Sequence, residues 1–303
     1  MQRKLAGYSE TQLEVMQRRV NYYNRLRADF TPSAIATTLG SLPDKPHSAY
    51  YFDMRETARY FPAAYKFDKV FGDVIHVPTH PSFVKSRPIG GDNANSVLLK
   101  LNKVRHYSFV RDRKKFDAKL NKLVWRGKVK PHQHRFDLVE KWYRHPACDI
   151  GQSNKVSKGD DPAKTRPFLS VARQLEYKYV LSMEGNDVAT NLKWIFSSNS
   201  LCLMRRPRYE TWFMEGKLIP DHHYVLLRDD FSDIEDKIDY FNEHPDEAQE
   251  IVRNANRWVE QFKDQQSELA ISLMVLQKYF NHSRQRSASV YALSEQPEVN
   301  SSL

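Results

Sequence analysis

Several stretches of this sequence gather residues that can hold an anion or move a proton. The first is Trp125-Arg126-Gly127-Lys128, followed by Arg135. An arginine at a strand end, followed by a glycine that lets a phosphate approach the main chain, can bind a diphosphate through charge-assisted hydrogen bonds. A solvated arginine at a strand end is the plainer reading. The second stretch runs from Tyr177 to Trp194, where an apolar run passes into Glu184-Gly185-Asn186-Asp187 and on through Val188-Ala189-Thr190-Asn191. If Asn186 or Asp187 caps a helix over residues 188–196, its free N–H groups and partial positive charge suit an anion. Glu184 and Asn191 would add side-chain contacts and Lys193 a cation. An ordinary strand-to-helix turn fits the same pattern.

Two further stretches carry polar groups. Glu210, after an apolar run over residues 200–204, is a candidate for binding sugar or ribose hydroxyls, or a surface glutamate. Lys85, Arg87, Asp92, Asn93 and Asn95 crowd around Gly90-Gly91 and either face a cleft or form a plain surface turn. His222-His223 has no matching ligand pair, so no metal site is expected. No P-loop, GxGxxG, GxSxG or HExxH pattern occurs.

The elements that must position these residues follow from periodicity. Leu13, Met16, Val20, Tyr23 and Leu26 predict an amphipathic helix over residues 8–27. Residues 73–77 and 107–110 suit strands, and 97–101 suits a strand or a helix. From Leu123 onward, strands alternate with helices: strands at 123–125, 178–183, 200–204 and 223–227, helices at 132–143, 168–175 and 188–196, and a helical turn at 210–215. Ser232 with Glu235 predicts a capping box. Ala248, Ile251, Val252, Ala255, Trp258, Val259 and Phe262 make one face of a further helix. Residues 152–165 read as a mobile surface loop and the tail from Ser283 as frayed. Such alternation implies βαβ units and a parallel sheet, which places ligands at the C-terminal ends of its strands. The expected division is an α/β domain over 1–118, a nucleotide-binding domain over 119–262, and a C-terminal helix and tail over 263–303.

The chain has 303 residues, 40% hydrophobic and 12% aromatic, enough for real cores. Its formal net charge of +10 calls for an anionic partner: nucleic acid, an anionic membrane face or a phosphorylated small molecule. The basic residues are spread out and no nucleic-acid motif occurs, so nucleic acid is not the expected partner. Cys148 and Cys202 form no CxxC pair, and a reducing compartment is expected. No signal-peptide core and no run of about 18 apolar residues is present, so a cytoplasmic protein is expected.

Taken together, these segments resemble glycosyltransferase family 90, which includes bacterial lipopolysaccharide-modifying enzymes, fungal capsule-associated transferases and animal protein O-glucosyltransferases. The resemblance runs over roughly residues 50–262. It is carried by Phe71-Gly-Asp-Val, Phe83-Val-Lys-Ser-Arg-Pro-Ile, residues 92–101, Leu123-Val-Trp-Arg-Gly-Lys, residues 179–199, Glu210-Thr-Trp-Phe and His223-Tyr-Val-Leu-Leu. It looks closest to the bacterial branch. It implies a GT-B fold, with two Rossmann-like domains facing a cleft, and a UDP-sugar donor bound mainly by the C-terminal domain. It also implies inversion at the anomeric carbon, no required metal or other cofactor, and a glycan or lipid-linked saccharide acceptor. Carried over by position, Arg126, Gly127 and Lys128 open the donor loop and Arg135 matches the diphosphate arginine. Loss of Arg126 or Arg135 is then expected to weaken donor binding without unfolding. Residues 186–191 match the donor-binding turn, and Lys85, Arg87 and Asn93 fall on the acceptor side.

One position departs from the family. An aspartate after an N-terminal strand is the base in the animal enzymes, and Thr79 stands at that place here. Threonine is no general base at neutral pH. Asp92 is the first replacement candidate, His80 the second and Asp73 the third. The departure leaves open an inactive sugar-nucleotide-binding relative. The arginines of the first predicted helix, beside Met16, Val20 and Leu26, are the expected contact with an anionic inner-membrane surface, unless that helix packs on its own domain.

Overall fold

A computed structural model describes residues 7–43, 48–153 and 161–285. The tail beyond 285 and residues 154–160 of the expected loop lie outside the described residues. The main helices are α1 (Glu10–Tyr23), α2 (Ala49–Ala58), α3 (Gln133–Trp142), α4 (Leu192–Phe196), α5 (Ile234–Glu243), α6 (Pro245–Glu260) and α7 (Gln265–His282), with single helical turns at Lys103–His106 and Val171–Gln174. The strands that build the two main sheets are β1 (Thr37–Thr38), β2 (Lys66–Val70), β3 (Ser82–Val84), β4 (Ser96–Leu98), β5 (Leu120–Gly127), β6 (Cys148–Gln152), β7 (Tyr177–Leu181), β8 (Leu201–Met204) and β9 (Val225–Leu226). The fold is α/β with parallel sheets, as the alternation predicts. Among the described residues, no helix is long and apolar enough to cross a membrane.

Packing draws the units differently from spacing. One unit joins residues 1–102 to 264–303, and the other spans 103–263. Residues 103–118 belong to the second unit because they are bonded into it: the Val110 amide donates to Ser197 Oγ at 2.9 Å, and the Asp112 carboxylate accepts the Asn199 amide at 2.9 Å. Helix α7 belongs to the first because it closes against α1. Asn24 donates to the Val275 carbonyl at 3.2 Å, and Arg19 pairs with Glu268 at 2.6 Å.

In the first unit the sheet order is β1-β2-β3-β4, with β1 antiparallel to β2 and the other pairs parallel. Ser9 and Gln12 form a capping box that starts α1, and Met16, Val20 and Tyr23 bury one face of it. Those apolar residues therefore belong to the core and are not available to a membrane; Arg19 is buried with them. The Tyr279 hydroxyl donates to the Pro81 carbonyl at 2.9 Å and accepts the Asp68 amide at 3.0 Å, tying α7 to β2 and the entry of β3.

In the second unit the order is β6-β5-β7-β8-β9, every neighbouring pair parallel. The chain steps from β5 outward to β6, then returns past β5 to β7. That reversal makes a switch point between β5 and β7, where side connections diverge and open a crevice at the carboxyl ends. Leu123, Val124, Tyr179, Val180, Leu181 and Leu203 are completely buried, as suits strands covered on both faces. Helix α6 buries Ala248, Ile251, Val252, Ala255 and Val259 at the expected spacing.

Local chemistry departed from expectation in several places. Residues 73–77 and 107–110 form no strand. Residues 209–211 are extended where a helical turn was expected, and a 3-10 turn follows at Glu215–Lys217. The Ser232–Glu235 capping box does not form: Asp233 is the N-cap residue of α5, and its carboxylate accepts the Arg228 amide at 3.0 Å instead. Strand β6 escaped the pattern because Asp149 and Gly151 interrupt its apolar run.

His223 gives the second unit a pH dependence. Its ring lies against Trp258, and its Nδ1 accepts the Ile219 amide at 2.9 Å, which requires a neutral nitrogen. Burial first, then His222, lowers its pKa from 6.5 to about 4. The folded chain thus binds fewer protons than the unfolded chain between those values. This contribution to stability is complete above the unfolded pKa and is lost as pH falls toward 4. Urea titrations at about pH 7 and pH 4.5 should show a smaller pH loss for His223→Asn, whose amide oxygen can accept the Ile219 N–H, than for the native chain. An equal loss in both would remove His223 from the account.

Candidate functional site

The crevice at the switch point is built from the ends of β5 and β7 and the start of α3. After β7 the chain runs through Ser182-Met183-Glu184-Gly185, and its carbonyls meet the first turn of α3. Arg135 donates from Nε to the Glu184 carbonyl at 3.0 Å, from Nη1 to Lys128 at 2.8 Å and from Nη2 to Met183 at 3.2 Å. Its guanidinium lies 5.8 Å from the centre of the Trp125 ring. His134 Nε2 stands 3.1 Å from the same Glu184 carbonyl. A Cβ on Gly185 would sit 3.1 Å from Arg135 Nη2 and 3.7 Å from His132 Nε2, so glycine is what allows this approach. Burial lowers the pKa of both His132 and His134; Arg135 adds to the shift at His132. Both rings therefore favour the neutral form, and an arriving anion would draw them back toward the charged one.

A pocket adjoins this cluster at the ends of β7 and β8. Ser182, Glu184, Asp187, Arg205 and Arg208 supply its polar lining, and Val188, Ala189, Leu192 and Met204 its apolar wall. The expected helix over 188–196 is shorter: α4 starts at Leu192, and neither Asn186 nor Asp187 caps it. Asn191 stabilises the preceding turn instead, donating to the Leu181 carbonyl at 3.0 Å and accepting from Ser182 Oγ at 3.2 Å. Residues 186–191 thus form a wall of the crevice and not a helical anion site; Asn186 is exposed, Asp187 buried and Thr190 half-buried.

Other expected ligand groups are engaged in the framework. Arg126 turns along the sheet, donating to the Asp149 carboxylate at 2.6 Å, the Asp149 carbonyl at 2.6 Å and the Pro167 carbonyl at 3.2 Å. Asp149 also accepts the Tyr177 hydroxyl at 2.6 Å. Burial alone would raise the Asp149 pKa, but Tyr177 and Arg126 outweigh it and hold the carboxyl below its usual range. Through Asp149 and Tyr177, that arginine acts as a clasp across β5, β6 and β7. Lys193 is wholly buried and pairs with Glu215 at 2.7 Å. Glu210 is buried and does not line the pocket. Lys128 is exposed, and Gly127 ends β5.

The first unit uses its polar loop in the same way. Lys85 is buried and pairs with Asp73 at 2.5 Å. Arg87 is wholly buried and donates to the carbonyls of Tyr22 at 2.7 Å, Ser96 at 3.0 Å and Tyr23 at 3.2 Å. Asn93 accepts from Arg25 at 2.8 Å and donates to the Pro88 carbonyl at 3.0 Å. These three expected acceptor-side residues brace the loop from within, because buried donors must find acceptors. Asp92 remains exposed, its carboxylate capping the Ala94 amide at 3.1 Å, after Gly90 and Gly91 take φ of +89° and +66°. His80 is exposed and lines a hollow with His76 and Asp68.

Residue reasoning missed His132, His134 and Arg205. The signal was available for Arg205: Met204-Arg205-Arg206 ends an apolar run in a cation, as Trp125-Arg126 does. The histidines carry no comparable pattern, since only the return of β7 beside β5 brings Glu184 to them. Among the described residues, no group of three His, Cys, Asp or Glu side chains is arranged to hold a metal.

Comparison with known proteins places this geometry in a family context. The family described as "Glycosyl transferase family 90" matches residues 93–289. The chain is 48% identical over 267 residues to "O-glucosyltransferase LpsA" of Dichelobacter nodosus, covering 88% of this chain and 83% of that protein. It is 27% identical over 141 residues to "Protein O-glucosyltransferase 2" of Danio rerio, covering 45% of this chain and 28% of that longer protein.

Gly185 offers a test of the crevice. In Gly185→Ala the new methyl meets an arginine anchored to three carbonyls, so the guanidinium and the 184–185 turn must shift together. Calorimetry should find weaker UDP binding, with the melting temperature nearly unchanged. UDP affinity equal to that of the native chain would mean that this turn lies outside the binding site.

Proposed function

The chain belongs to glycosyltransferase family 90 and is a glycosyltransferase, and we propose that it moves glucose from UDP-glucose to a hydroxyl of a lipopolysaccharide or related glycan, with inversion. The observation that carries this reading is the convergence of Arg135, His134, Glu184 and Gly185 at the switch point of a parallel sheet. Such crevices bind nucleotides because strand ends and loops supply main-chain and side-chain polar groups without blocking access. Glucose as the sugar is suggested by the relatives' names, and the glycan acceptor by the resemblance to the bacterial branch. The GT-B arrangement belongs to the same proposal and rests on the resemblance alone.

Transfer needs a base for the acceptor hydroxyl, an anomeric carbon held in line, and neutralisation of charge on the departing UDP. Protein cations near the strand ends of the second unit serve the last need without a metal. Exposed Asp92 and His80 are the proposed candidates for the base; Asp73 is already ion-paired to Lys85.

Incubation with UDP-glucose and lipopolysaccharide acceptor should release UDP in the presence of EDTA, and NMR should show a product anomer opposite to that of the donor. Loss of activity in EDTA with recovery in manganese would contradict metal independence. Retention of the donor configuration would contradict inversion.

We also propose action at the cytoplasmic face of an anionic membrane. The support is the net charge of +10, since each basic residue near such a surface contributes about 1 kcal/mol before screening. Arg18 and Arg27 are exposed and can take part, whereas the apolar face of α1 cannot. Sedimentation with vesicles should require anionic lipid and weaken as salt rises. Equal binding to neutral vesicles would remove the electrostatic basis.

A further inference from the structure

The cations near the strand ends differ in what they have left to donate. Arg126 is bound to Asp149 and Lys193 to Glu215, while every guanidinium nitrogen of Arg135 already donates to a carbonyl. Arg205 is different. It directly follows β8, is 7% exposed, and lines the pocket beside Glu184. Its Nη1 donates to the Asp229 carbonyl at 3.2 Å and its Nη2 to the Glu184 carboxylate. The Phe231 ring lies 5.1 Å from its guanidinium carbon and fixes the plane. Its Nε is buried with no hydrogen-bond partner.

A buried, charged donor without an acceptor is costly, and a site that needs an anion is where such a cost is retained. We propose that Arg205 is a diphosphate-contacting catalytic residue of the donor site. Glu184 is its resident counterion, which holds the guanidinium in place until a phosphate oxygen reaches Nε. The apolar wall of Val188, Ala189, Leu192 and Met204 keeps water from competing and strengthens the contact. In transfer, the bond from the anomeric carbon to the phosphate oxygen breaks and its electron pair stays on that oxygen. The acceptor oxygen bonds the same carbon and loses its proton to the base. Arg205 meets the negative charge that appears on the phosphate.

This assignment rests on the donor-site reading above and can fail separately from it. The probes are UDP, uridine and inorganic pyrophosphate, titrated by calorimetry into the native chain, Arg205→Lys, and the double variant Arg205→Gln with Glu184→Gln. The lysine variant keeps a charge beside Glu184, and the double variant leaves no charge unpaired, so folding can be checked in both by thermal melts. UDP and pyrophosphate should each bind about tenfold more weakly in both variants, as befits one charged hydrogen bond, with uridine unchanged. Pyrophosphate binding that depends on Arg205, without UDP binding, would support this assignment and remove UDP as the donor nucleotide. Unchanged UDP and pyrophosphate affinity in folded variants would overturn it, as would an equal loss for uridine and UDP. A native chain that binds neither UDP nor pyrophosphate would overturn it as well.

Discussion

Three main-chain carbonyls converge on the guanidinium of Arg135, and most of the crevice depends on that convergence. Two come from Met183 and Glu184 at the end of β7, and one from Lys128 just after β5. They are carbonyls at a strand end, with no further strand to donate to them. An arginine on the first turn of α3 satisfies them together because its donors form a rigid fork. The result joins the two strands on either side of the switch point at the place where their connections part. Gly185 follows from the same contact, since a side chain there would crowd the guanidinium. His132 and His134 follow too, drawn beside the Glu184 carbonyl by the turn of α3 that carries Arg135.

The same physical constraint explains why so many cations became framework. Burying a charge requires partners, and an arginine or lysine near a sheet end finds them among carbonyls and carboxylates within reach. Arg126 found Asp149, Lys193 found Glu215, and Lys85 found Asp73. Arg87 found carbonyls at the end of α1 and the start of β4. Each link ties together separate segments of the chain. The cost of desolvation, which demands that each charge keep its partner, is what makes these residues good clasps.

The sequence by itself determined the parts that rest on local periodicity and short-range chemistry. The alternation of apolar runs and amphipathic stretches from Leu123 onward was legible as a parallel α/β sheet, because side-chain burial in strands and helices has a fixed period. Most of the face of α6 was read for the same reason, although Trp258 is only half-buried and Phe262 lies beyond the helix. The strands that lead to Arg126, Glu184 and Met204 were legible from apolar runs that stop at polar residues. The family resemblance was legible in the wording around those same residues.

Tertiary structure alone decided which charges are spent and which strand is a neighbour of which. Nothing local to Trp125-Arg126 shows that Asp149 will stand beside it, because β6 reaches that place only by pairing in register with β5. The short α4 was likewise undecidable from capping chemistry: Asn191 is bonded to Leu181 and Ser182, contacts formed by the turn as a whole. Helix α7 joins the first unit through Tyr279 and Glu268, whose partners lie near the other end of the chain. Polar groups are satisfied by whatever acceptor the fold brings near, and that proximity is a property of the assembled chain.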